Sequence, residues 1–160
     1  MTMATHILAA VDLSEATPQV IAYARQLAEL WNARLTVVHV VHDLSYYSGA
    51  FITSTPLKTL QHNIETEAYE HLQAWCEDES RHDVTCEPLV LVGRPIAEIA
   101  RIVHELEVDC LVIGAHSMDK PEHQLFGSTA ERLLRHIQCP TVVIPPQPTE
   151  YVPHAEPQST

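Results

Sequence analysis

The sequence predicts an α/β fold: a single doubly wound open sheet of five parallel strands in the order 3-2-1-4-5, with four helices on its two faces. Short, nearly continuous apolar runs at 6–11, 34–41, 84–92, 109–113 and 141–144 read as strands buried on both sides. The segments between them carry apolar residues at helical spacing, as covering helices do. Prolines set the edges, because Pro88 removes a ladder donor from the third strand, and Pro140 with Pro145 and Pro146 brackets the fifth. Strands 1 and 4 are then neighbours at the point where the winding reverses.

Each element has its own support. Residues 14–32 place Val20, Ile21, Ala24, Leu27, Ala28 and Trp31 on one helical face, with Ser14 or Thr17 as the cap and Asp12 closing the preceding strand. After a polar and aromatic loop with Tyr46, Tyr47 and Phe51, residues 57–79 read as a long helix through Leu60, Ile64, Ala68, Leu72 and Trp75. Gly93, Arg94 and Pro95 begin the third helix, whose buried face is Ile96, Ile99, Ala100, Val103 and Leu106. Residues 127–136 form the fourth, through Ala130, Leu133, Leu134 and Ile137. The domain is expected over 1–146, and the Pro-rich, polar stretch 147–160 as a disordered tail.

Composition narrows the function. The 160 residues suit one domain with a substantial core, and 46% of them are hydrophobic. A formal net charge of -12, with nine basic residues against 21 acidic ones, excludes a broad nucleic-acid or anionic-membrane surface. No apolar run reaches the roughly 18 residues of a membrane span, so no membrane insertion and a cytoplasmic location are expected. The four cysteines, Cys76, Cys86, Cys110 and Cys139, include no Cys-x-x-Cys pair and read as reduced structural thiols. His39 and His42 are spaced to face opposite sides of a strand, and no metal site is expected.

The segment with the most chemistry is Gly114-x-x-Ser117, nine further residues, then Gly127-Ser128. It runs from a buried strand to a helix start, where Gly114 permits a sharp turn and Gly127-Ser128 offers N–H groups and a hydroxyl at the positive helix end. In the 3-2-1-4-5 order, the carboxyl ends of strands 1 and 4 deliver Asp12 and Gly114 to one crevice, with 114–128 as its lid. Lys120, with His116 and His123 when protonated, favours phosphate there, whereas Asp119 and Glu122 oppose it. Arg94 is expected near the mouth, either meeting a ligand or simply solvated.

The run Ile7-Leu-Ala-Ala-Val-Asp12-Leu-Ser14, His39-Val40, Gly93-Arg-Pro95 and the glycine-bearing segment together resemble the universal stress protein family over about residues 4–146. That resemblance implies adenine and ribose contacts at Asp12 and Val40, and phosphate contacts at Gly114, Ser117, Gly127, Ser128 and Thr129. Ser117 stands where the family pattern has its second glycine. The implied cofactor is ATP or another adenine nucleotide, with Mg as the accompanying ion. The implied partner is a second copy, joined through the last strand at 141–144, whose open edge would otherwise be unpaired. A further, unidentified protein would read the dimer.

The chain lacks the Gly-x-x-x-x-Gly-Lys-[Ser/Thr] loop, the Ser-Gly-Gly-x-Asp-Ser loop and the Gly-x-Ser-x-Gly elbow, and no catalytic residue is assigned. A nucleotide-binding regulatory module is the leading expectation. A slow ATPase and a dimeric interaction protein without nucleotide are the alternatives.

Overall fold

The computed structural model describes residues 5–47, 54–77, 84–115 and 127–146. In chain order its elements are β1 (His6–Ala10), α1 (Thr17–Trp31), β2 (Arg34–Val41), a 3-10 turn (Leu44–Tyr47), α2 (Ser54–Cys76), β3 (Cys86–Val92), α3 (Pro95–Glu105), β4 (Cys110–Gly114), α4 (Ser128–His136) and β5 (Thr141–Ile144). The strands form one parallel sheet in the order β3-β2-β1-β4-β5. Pro88 lies on edge strand β3, opposite Val37, where its missing N–H interrupts only one ladder.

Alternation along the central strands divides the core in two. Ile7, Ala9, Leu35, Val37 and Val112 pack with Val20, Ile21, Ala24 and Ala28 of α1 and Leu72 of α2. Leu8, Ala10, Val38, Leu111 and Ile113 pack with Ile99, Ile102 and Val103 of α3 and Ala130 and Leu133 of α4. The sheet is therefore covered by α1 and α2 on one face and by α3 and α4 on the other. Ile7, Leu8, Leu35 and Leu111 have no exposed surface, and truncating one such side chain to alanine costs about 2–5 kcal/mol.

Several local expectations are corrected. The residue before α1 is Ala16, which makes no side-chain cap; Thr17 is already helical, and Ser14 instead accepts the Ala16 amide with its hydroxyl at 3.3 Å. Leu60 and Leu134 are exposed, because tertiary packing takes a narrower stripe of α2 and α4 than the apolar pattern offers. Ile137 leaves the helix in an extended conformation and packs from beyond its end. Phe51, the side chain of Tyr47 and the stretch 147–160 lie outside the described residues.

Two polar groups hold the frame in place. Arg25, 4% exposed on α1, donates from Nη2 to the carbonyls of Trp75 and Cys76, the latter at 2.9 Å, placing a cation at the C-terminal end of α2. His6 is equally enclosed: its Nε2 lies 2.8 Å from the Thr36 hydroxyl and its Nδ1 3.1 Å from the Leu106 carbonyl oxygen.

Candidate functional site

A cavity of about 520 Å³ opens at the carboxyl ends of β1, β2 and β4, where the winding reverses. Asp12, Val40, Gly114, Gly127 and Thr129 all line it, so five of the seven residues singled out in the sequence converge on one space. Its walls are largely apolar, from Val11 just past β1 and Val38 and Ile113 on the strands to Val20, Ile99 and Leu133 on the helices. That volume and lining suit a small organic ligand with a flat apolar part.

Asp12 is held by a turn built from its own side chain. Its Oδ1 accepts the Ser14 amide at 3.0 Å, and the Thr17 amide donates to the Ser14 carbonyl at 3.0 Å. Between them Leu13 adopts φ 60°, a left-handed conformation that costs a branched residue about 1–2 kcal/mol. Leu13 also packs against the core beneath α1, and this anchorage helps hold the strained turn. The consequence is a carboxylate fixed at the rim of the crevice.

The opposite rim is formed by β4 and α4. Gly127 donates its amide to the Ala115 carbonyl at 2.6 Å, and Ala115 donates to Ile144 at 2.8 Å. The Gly127 amide is thus occupied by protein rather than offered to a ligand, correcting the expectation for that group. Glu131 bonding to the Gly127 carbonyl is the first turn of α4, so the amides of Ser128, Thr129 and Ala130 precede the helical ladder. Ser128 itself is exposed and outside the cavity lining, and Ser117 with the rest of 116–126 lies outside the described residues.

Three polar side chains in the cavity wall were not among the expected site residues. Thr17 is 1% exposed, and its Oγ1 has no hydrogen-bond partner among the described residues. His39 presents Nδ1 to the Val11 carbonyl at 2.8 Å. His42 lies just past the end of β2, where strand alternation no longer applies, and it lines the same cavity as His39. The cavity takes its lining from both faces of the sheet, and both histidines contribute to it. In the sequence, the position of His39 near the carboxyl end of an apolar strand was the available signal; Thr17 was hidden by its reading as a helix cap. Arg94 caps α3 and is outside the lining, although Pro95 beside it contributes. Among the described residues, no three His, Cys, Asp or Glu side chains are grouped to hold a metal. No helix among them is long and apolar enough to cross a membrane.

An open parallel α/β sheet with its crevice at the reversal point between β1 and β4 defines the class of ligand-binding doubly wound domains. Within that class, a model described as the universal stress protein family matches residues 3–145, and the chain belongs to this family. Universal stress protein A homolog 1 of Coxiella burnetii is 34% identical over 149 residues, covering 87% of this chain and 94% of that protein. The fold resembles the solved structure of hypothetical protein MJ0577, with TM-score 0.80, 20% identity and coverage of 92% of this chain and 100% of that one. It also resembles a universal stress protein in complex with cAMP, with TM-score 0.61, 17% identity and coverage of 89% and 98%. A universal stress protein from Archaeoglobus fulgidus in complex with dAMP gives TM-score 0.56, 20% identity and coverage of 89% and 99%.

Proposed function

We propose that the crevice binds an adenine nucleotide, with ATP as the leading candidate, and that the chain acts as a nucleotide-responsive regulatory module. The observation that carries this reading is the convergence of Asp12, Val40, Gly114, Gly127 and Thr129 on one cavity, whose lining also includes Thr17 with a hydroxyl that has no partner among the described residues. Apolar walls accept a base, and a fixed carboxylate at the rim accepts hydrogen bonds from ribose hydroxyls. The first-turn amides of α4 provide the remaining chemistry, since unladdered N–H groups at a helix start suit phosphate. The cAMP and dAMP complexes of proteins with the same fold support this ligand class. Magnesium in this reading arrives on the nucleotide's phosphates.

The regulatory output is assigned to a homodimer formed through β5, Thr141–Ile144. Among the described residues only β4 pairs with β5, and the other edge of β5 is the one assigned to a second copy. A further protein partner would read that assembly. The module is assigned to the cytoplasm.

The decisive measurement is the mass of any nucleotide released on denaturing the purified full chain, followed by calorimetric titration with ATP, AMP and cAMP. Asp12→Ala is expected to weaken binding at least about tenfold, the equivalent of one good hydrogen-bonded contact. Ser117→Gly reports whether the serine tunes affinity. A folded protein that carries no nucleotide and takes up none at millimolar concentration overturns the reading. A sedimentation mass of a single 17.9 kDa chain at micromolar concentration overturns the dimer.

A further inference from the structure

Away from the crevice, the C-terminal end of α2 meets the first residue of β3, and two cysteines meet with them. The Sγ atoms of Cys76 and Cys86 lie 2.7 Å apart, and both side chains are half-buried at the margin of the core beneath α1 and α2. A disulfide bond is about 2.05 Å long, so closing one requires an approach of less than about 1 Å. Both sulfurs belong to fixed positions. Cys86 is registered opposite Leu35 in the sheet, and the Cys76 carbonyl is held by the buried guanidinium of Arg25.

We propose that Cys76 and Cys86 form a reversible dithiol–disulfide site that reacts with small-molecule disulfides. The reading of all four cysteines as structural thiols missed this pair because ten positions separate its members. Only the return of the chain from α2 to β3 makes them neighbours.

The local electrostatics give the two thiols different roles. The side-chain contact with Cys76 holds the Cys86 pKa below its ordinary value, with Arg25 acting in the same direction. The same contact pushes the Cys76 thiol up, and burial adds to the effect. The first proton of the pair is thus lost more readily than the second, and Cys86 is the attacking group. Its thiolate attacks one sulfur of the small disulfide, forming a mixed disulfide and releasing one small thiolate. Cys76 then loses its proton to solvent, attacks the Cys86 sulfur and releases the second. Two protein thiols and one small disulfide become one protein disulfide and two small thiols. The product staples the end of α2 to edge strand β3.

The test is incubation of the full chain with glutathione disulfide, followed by acid quench, intact mass and non-reducing peptide mapping. The expected result is a protein lighter by two hydrogens, with Cys76 linked to Cys86 and the link reversed by excess reduced glutathione. Cys76→Ser is expected to stop at the glutathione adduct on Cys86, and Cys86→Ser to react at least about tenfold more slowly than wild type. The linked form should also show a higher urea midpoint than the reduced form. Circular dichroism before oxidation establishes that each variant is folded. Thiols that persist at Cys76 and Cys86 in folded wild type, under conditions that oxidise a reference dithiol, overturn the proposal. A link mapped to Cys110 or Cys139 overturns it equally.

Discussion

Gly127 and Ala115 are joined amide to carbonyl at 2.6 Å, bringing the start of α4 to the end of β4 although 11 residues lie between them in the chain. Ala115 is 4% exposed, so water has little access to replace the bond. Gly127 has φ -65°, which proline also adopts, and Gly127→Pro therefore tests the lost N–H with little demand on that angle. Its expected effect is a stability loss of about 1–3 kcal/mol, the cost of leaving a buried carbonyl unpaired. Urea denaturation measures it, and an unchanged midpoint would show that the bond contributes nothing.

Thr17 makes a prediction with two opposite signs. Replacing it with valine keeps the shape and removes a buried hydroxyl that has no partner among the described residues. The ligand-free protein should gain about 1 kcal/mol, because the desolvated hydroxyl is unsatisfied there. Adenine-nucleotide affinity should instead fall about tenfold, if that hydroxyl is satisfied by the ligand. Thermal denaturation and calorimetry on the same preparation report both, and equal affinities for the two proteins would remove Thr17 from the binding site.

His6 gives the chain an acid-sensitive frame. Burial is the main cause that lowers its pKa, against the opposing hydrogen bond to the Leu106 carbonyl. The unfolded state therefore binds the proton more readily than the folded state. The His6 contribution is fully present above its unfolded pKa of about 6.5 and is lost as pH falls through the lower folded value. Asp109 follows in a more acidic window: bonds from the Thr5 and His6 amides lower its pKa, so its contribution declines below about 3.8. Melting temperature against pH should fall first below about 6.5 in wild type, and His6→Gln should flatten that first descent. Identical profiles for the two proteins would contradict the assignment.

Arg25 is expected to matter more than a surface arginine. Its guanidinium serves two carbonyls at the end of α2 and is itself enclosed by the core. Arg25→Met should cost about 2–3 kcal/mol in chemical denaturation, since charged hydrogen bonds are lost from a buried position. Arg25→Lys should restore only part of it, because an ammonium lacks the planar fork that spans adjacent carbonyls. Full recovery by lysine would show that charge alone is what α2 requires.

The fold was legible because its evidence is local. Apolar runs identify strands buried on both faces, and Pro88 can be assigned to an edge from the donor it lacks. The site was legible in part for the same reason: Asp12 and Gly114 end strands 1 and 4, which the predicted order makes neighbours. Helix caps and margins were less so. Ala16 precedes α1 because the Asp12–Ser14 turn takes up the local polar groups, an arrangement that depends on the left-handed Leu13.

By itself, the sequence determined the sheet order and most of the buried face of each helix, because periodicity and proline chemistry act within a few residues of themselves. Only the tertiary structure decided which polar groups are free and which are taken. It gave the Gly127 amide to Ala115, left the buried Thr17 hydroxyl without a partner among the described residues, and set the Cys76 and Cys86 sulfurs side by side. These outcomes depend on where distant segments meet, and hydrogen bonds and thiol chemistry are decided over distances much shorter than the chain that separates the partners.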